Sequence, residues 1–238
     1  MEHYKVSILF NESIIEIINK HLHVPHKMNL VKKGDNSFVT NVDYQISDDL
    51  ERRFKSIFSD CAVISEENDD RNYDAEHIFV IDPLDGTENF LSGLPIYGTS
   101  IAYYRAGEHA ESMLYFPKLK EFITDTTPLQ EPLMRSRIMS LSSYLNLDEI
   151  KEMCPYKNDD PDLGGHIEYR IIGCAVYNLF NVVMGNFLSY SSPRINSWDM
   201  LAGINIAIKN GINVLINDEV YRGEFLRADQ KYSIKVFG

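Results

Sequence analysis

An apolar run, Ile78-Phe79-Val80-Ile81, passes without a break into Asp82-Pro83-Leu84-Asp85-Gly86-Thr87-Glu88-Asn89-Phe90. No other stretch restricts the fold as strongly. A dense run of large, mostly β-branched residues reads as a buried strand. Pro83 then favours extended geometry at Asp82. Two carboxylates three residues apart are thereby delivered at a strand end, and a Gly-Thr step follows them. Carboxylate oxygens so placed suit a hard cation, and the backbone N–H groups of the next turn suit a phosphate. An acidic turn after an edge strand is the plainer alternative, but it leaves the company of Pro83, Asp85, Gly86 and Thr87 unexplained.

The chain has 238 residues, enough for one domain or two closely joined ones. With 35 acidic and 23 basic residues its net charge is −12, which argues against a nucleic-acid polymer as partner. A small phosphorylated substrate stays open, because bound metal ions reverse the local field. The three cysteines, Cys61, Cys154 and Cys174, are too scattered for a disulfide framework or a CxxC zinc site. Reduced thiols in a cytoplasmic setting are the expectation. Met1-Glu2-His3-Tyr4-Lys5 opens no signal sequence, and no apolar run approaches the roughly 18 residues of a membrane span, so no membrane partner is expected.

Helical spacing is visible over the first 22 residues (Ile14, Ile17, Ile18) and over 43–58 (Ile46, Leu50, Phe54). Residues 32–40 read as an irregular loop or arm, 62–65 and 78–81 as strands. Short apolar and aromatic runs at 98–104, 112–116 and 121–124 predict adjacent antiparallel strands. Pro128 and Pro132 mark a boundary between an N-terminal part, 1–127, and a C-terminal part, 128–238. In the latter, strands near 137–141 and 166–171 alternate with helices at 147–153, 174–184 and 199–209. The fold class is α/β: an α+β first half and an alternating second half.

Acidic residues recur at predicted element ends: Glu66-Glu67, Asp82, Asp85 and Asp199. With no His or Cys among them, Mg2+ or Mn2+ is favoured over zinc. Taken singly, Glu66-Glu67 reads as a solvated loop and Asp199 as a helix N-cap; their weight lies in recurring together. His21, His23 and His26 form a second candidate metal cluster, although histidines at a helix end also suit the dipole and solvent.

Five segments stand in order: 33–43 (Lys33 to Asp43), Ile64-Ser65-Glu66-Glu67, Asp82–Phe90, Gly173-Cys174-Ala175 and Trp198-Asp199-Met200-Leu201-Ala202-Gly203. Together they resemble the lithium-sensitive, Mg2+-dependent phosphatases of the inositol monophosphatase superfamily, over about residues 32–215. The resemblance implies a layered αβαβα sandwich acting as one compact unit, with most metal ligands before residue 128 and Asp199 after it. It implies two to three Mg2+ ions, one held by Glu66, Asp82 and the Leu84 carbonyl, a second by Asp82, Asp85 and Asp199, and a looser third near Glu66. Thr87, hydrogen-bonded to Asp43, would position metal-activated water. Backbone N–H groups of Gly86 and Thr87 would hold the phosphate, with Lys33 and Cys174 on the substrate side. The partner implied is a small phosphorylated substrate; a homodimer is open.

Cys174 stands where family members usually carry Ser or Thr, and Ser189 where Asp is common. A glycine-rich hairpin usual near the middle is missing around 128–135. These departures bear on substrate more than on catalysis. An inositol monophosphate-like ester is the expected substrate, with a 3′(2′),5′-bisphosphate nucleotide or histidinol phosphate as alternatives, and a catalytically weakened phosphate-binding protein as the reading from another class. Arg194 is read either as a contact for a second phosphate or as a surface residue. An aspartyl-nucleophile phosphatase of the haloacid-dehalogenase type is disfavoured, since it spaces its aspartates two residues apart.

Overall fold

In the computed structural model, residues 12–22, 30–32, 38–68, 70–129, 136–153 and 167–238 are described. The apolar run at Ile78 lies in β4 (His77–Asp85), the second strand of a five-stranded sheet. Parallel to it runs β3 (Cys61–Ser65); β5 (Gly98–Arg105), β6 (Glu108–Phe116) and β7 (Glu121–Thr124) extend the sheet as an antiparallel meander. Side chains alternate strictly. Ile78, Val80, Ala102, Tyr104, Leu114 and Phe116 enter one core, while Phe79, Ile81, Ile101, Tyr103, Met113 and Tyr115 enter another. Both faces are covered, which is why these strands read as unbroken apolar runs.

One face packs on α1 (Glu12–Leu22) and α2 (Asn41–Ile57) through Ile14, Ile18, Ile46, Leu50 and Phe54. The ring of Phe54 stacks on Phe79 with centroids 3.8 Å apart. The other face packs on α5 (Ala175–Val183) and α6 (Ser197–Lys209), whose apolar core is shared with a second sheet. That sheet has six strands in the order β12 (Glu219–Val220), β11 (Asn213–Ile216), β13 (Tyr232–Phe237), β10 (Ser189–Ile195), β8 (Ile138–Leu141) and β9 (Glu168–Ile171). From Met200 to Ala207 every residue of α6 is buried, as expected of a helix between two sheets. A Cβ on Gly203 would lie 2.7 Å from the Leu179 Cβ, so α5 and α6 approach closely there.

The α/β class and the alternation of helix pairs with mixed sheets hold as the sequence suggests. A short helix, α4 (Leu147–Met153), lies in the crossover between parallel β8 and β9. The arm before α2 differs from the irregular loop expected: β1 (Leu30–Lys32) and β2 (Phe38–Thr40) pair antiparallel. Helical spacing starts before residue 12, outside the described residues. The sequence pattern also leaves β10 unassigned, because its Ser-Tyr-Ser-Ser-Pro-Arg-Ile composition and a register shift between Ser192 and Ile195 blur the alternation. No helix among the described residues is long and apolar enough to cross a membrane.

Candidate active site

Register places the first two acids. β3 and β4 are parallel with Ser65 opposite Ile81, so Glu66 and Asp82 leave the sheet at the same edge. The Glu66 N–H donates to the Ile81 carbonyl at 3.3 Å. The first turn of α6 brings Asp199 to meet them. Carboxylate oxygens of Glu66, Asp82 and Asp199 lie within 4.8 Å of one another, and Asp82 is only 1% exposed.

Burial pushes the Asp82 carboxyl well above the usual range, and the neighbouring Glu66, Asp85 and Asp199 push it further. Asp199 is raised in the same way, by burial and then by Asp85 and Glu66. For Asp85 burial dominates and lifts it to about 6, against hydrogen bonds that hold its charged form. Those bonds come from the Cys174 Sγ at 3.0 Å and the Val176 N–H at 2.6 Å, both to Oδ2. Clustered acids of this kind are unfavourable unless protons or cations balance them. The all-oxygen donor set fits a hard divalent cation such as Mg2+.

The turn after β4 is shaped by Gly86, with φ of +84° ahead of the short helix α3 (Thr87–Leu91). A Cβ at Gly86 would approach the Ile96 carbonyl to 3.0 Å and the Cys174 Cβ to 3.2 Å, so only glycine fits. The Thr87 hydroxyl lies 3.0 Å from the Leu84 carbonyl and 3.3 Å from Asp43 Oδ1. Asp43 is itself held through Oδ2 by the Thr40 N–H at 2.8 Å and hydroxyl at 2.6 Å, the capping box of α2. Burial raises Asp43 while the Thr40 bonds oppose the rise.

A cavity of about 290 Å³ joins these parts. Glu66, Asp82, Leu84, Asp85, Gly86, Thr87, Cys174 and Asp199 all line it, and Asp43 reaches it through Thr87. Lys33, His23 and His26 fall outside the described residues. His21 Nε2 donates to Asp49 Oδ2 at 2.8 Å. Asp199 is the third residue of α6; the N-cap is Asn196, so the capping alternative for Asp199 does not hold. Ser189 sits in β10 away from the cavity lining, whereas Arg194 is on that lining.

Three partners were not read from the sequence. Asn196 Nδ2 donates to Asp199 Oδ2 at 3.2 Å, and the Val176 N–H fixes Asp85. Asn89 Nδ2 donates to the carbonyls of Ile96 at 2.9 Å and Ile172 at 3.0 Å, tying α3 to the segment before α5. Only Asn196 carried a local signal, as a polar residue just ahead of a helix start.

A model of the inositol monophosphatase family matches residues 2–231. The chain belongs to that family. The inositol-1-monophosphatase of Mesorhizobium japonicum is 26% identical over 189 residues, which cover 72% of this chain and 69% of that one. The Nus factor SuhB of Salmonella typhimurium strain LT2 is 33% identical over 200 residues, covering 79% and 74%. Among solved structures, a staphylococcal IMPase-I complexed with products superposes with a TM-score of 0.77 at 20% identity, covering 95% of this chain and 87% of that one. An IMPase/NADP phosphatase complexed with Mg2+ and phosphate gives 0.76 at 20% identity, with the same coverage of 95% and 87%. These likenesses show a shared inositol monophosphatase fold. Burial pushes the Cys174 thiol well up, so it stays an S–H donor to Asp85.

Proposed function

We propose that this protein is a Mg2+-dependent phosphomonoesterase that hydrolyses a small phosphorylated metabolite of the inositol monophosphate type. One observation carries the reading: Glu66, Asp82 and Asp199 converge within 4.8 Å in a cavity that also exposes the Gly86-Thr87 turn. Glu66, Asp82 and the Leu84 carbonyl would hold one ion, and Asp82, Asp85 and Asp199 a second. When bound, such ions stabilise charge on the phosphoryl oxygens and lower the pKa of water.

The remaining roles fall to this chain's own atoms. The Thr87 hydroxyl donates its hydrogen bond to Asp43 or the Leu84 carbonyl, which leaves its oxygen free to accept one from water. Water held that way points a lone pair toward a phosphate seated on the N–H groups of Gly86 and Thr87. Asp43 keeps Thr87 in that donor role because Thr40 occupies its other oxygen. Asp82 and Asp85 are both engaged by backbone N–H groups, Leu84 at 2.9 Å and Val176 at 2.6 Å, which suits ligands better than nucleophiles.

A Mg2+ titration of phosphate release from inositol 1-phosphate tests the proposal, with Asp82→Asn in parallel. Release that saturates with Mg2+ and vanishes in the folded variant is expected. Undiminished release by Asp82→Asn would sink the site assignment. Phosphate binding without turnover would instead support a weakened phosphate-binding protein.

A further inference from the structure

The floor of the cavity is acidic, yet two cations share its lining, Arg194 and Lys231. Their placement stands out in a chain of net charge −12. Arg194 is held in place: Nη1 donates to Glu149 Oε1 at 2.5 Å and Nη2 to the Tyr144 carbonyl at 3.3 Å. Its side chain is nevertheless 52% exposed, so it borders both solvent and cavity. A guanidinium carries five N–H donors in a planar fork suited to phosphate and carboxylate. Two such bonds leave donors for a ligand. An exposed Arg–Glu pair is weak, so an incoming anion can share the fork at little cost.

Hydroxyl groups of Ser142 and Ser192 share that lining. The ester phosphate is answered by the floor and the ions it is proposed to hold. A singly phosphorylated polyol offers Arg194 and Lys231 only neutral hydroxyl acceptors. Resting on the phosphatase reading above, we infer that the preferred substrates carry a second anionic group, phosphate or carboxylate, which Arg194 and Lys231 bind. This shifts the preferred substrate from a simple polyol monophosphate to a phosphate ester that carries a second anionic group. Cations at the mouth also counter the repulsion that a strongly acidic protein presents to such a molecule.

Matched pairs test the inference with Mg2+ present: adenosine 3′-phosphate against adenosine 3′,5′-bisphosphate, and glycerol 2-phosphate against 2-phosphoglycerate, with inositol 1-phosphate alongside. Within each pair the ester with the second anionic group should show a kcat/KM about tenfold higher at low salt, as two partly exposed ion pairs allow. The ratio should fall toward unity in R194A/K231A and with rising ionic strength, and largely survive in Arg194→Lys, which keeps the charge. Equal kcat/KM within the pairs, a ratio unmoved by R194A/K231A, or inositol 1-phosphate outperforming every ester with a second anionic group would overturn the inference and leave the phosphatase reading standing. No release from any of the esters would overturn that reading, and the inference with it.

Discussion

Strands β4 and β10 both feed the cavity, and they are built in opposite ways. All seven residues between the ends of β4 are buried, and the strand runs straight into Asp82 and Asp85. By contrast β10 carries Pro193, shifts register between Ser192 and Ile195, and leaves Arg194 half exposed. The first is clamped on both faces by separate cores; the second borders a cavity mouth. A rigid, buried strand suits groups whose positions the chemistry cannot let drift. An irregular strand suits groups that select among substrates, because local change there leaves the core alone.

Substitutions on β4 and at the cavity mouth, where Arg194 of β10 is joined by Lys231 just ahead of β13, should therefore fail differently. Asp82→Asn should cost at least about a thousandfold in kcat, the scale on which a site's electrostatic centre acts. The R194A/K231A pair should instead alter the ratio between esters with and without a second anionic group, about tenfold. A large kcat loss from the mouth, or a selectivity change from the floor, would break the comparison.

Asn89 anchors the turn after β4, since its amide ties α3 to the segment preceding α5. Asn89→Ala leaves two carbonyls without that donor and should cost about 1–2 kcal/mol, a Tm fall of roughly 2–8 °C in a chain of this size. An unchanged Tm by scanning calorimetry would mean that the floor and wall are held together by other contacts.

A further effect concerns pH. Burial raises Asp85 from its usual 3.8 to about 6, and Asp82 and Asp199 shift in the same direction. The folded state therefore binds these protons more tightly than the unfolded chain. Stability present below about pH 4 is lost as pH rises through about 6. Metal-free protein should show a falling Tm between about pH 5 and 7.5, and about 10 mM Mg2+ should flatten the fall by replacing protons with cations. Identical pH profiles with and without Mg2+ would count against the acidic cluster as a cation site.

The same contrast explains what was legible in the sequence. The Asp82–Phe90 stretch could be read because one strand and its turn carry it contiguously, and α2, α4 and α6 because their spacing is regular. Asp199 needed only a motif, but its partner Asn196 and the Val176 N–H that binds Asp85 depend on how α5 and α6 pack, which no local pattern encodes. Arg194 looked like either a surface residue or a ligand contact; the fold makes it a residue on the cavity lining with its guanidinium pinned by Glu149. The paired strands flanking 33–37 were hidden because a three-residue strand has too little alternation to register.

The central claim is that Glu66, Asp82 and Asp199 form a divalent-cation site. Calorimetric titration of Mg2+ into the wild-type protein and into folded Asp82→Asn tests it without reference to any substrate. Saturable Mg2+ binding by the wild type that is lost in the variant is the predicted result. Binding of equal affinity and stoichiometry in both proteins would contradict it.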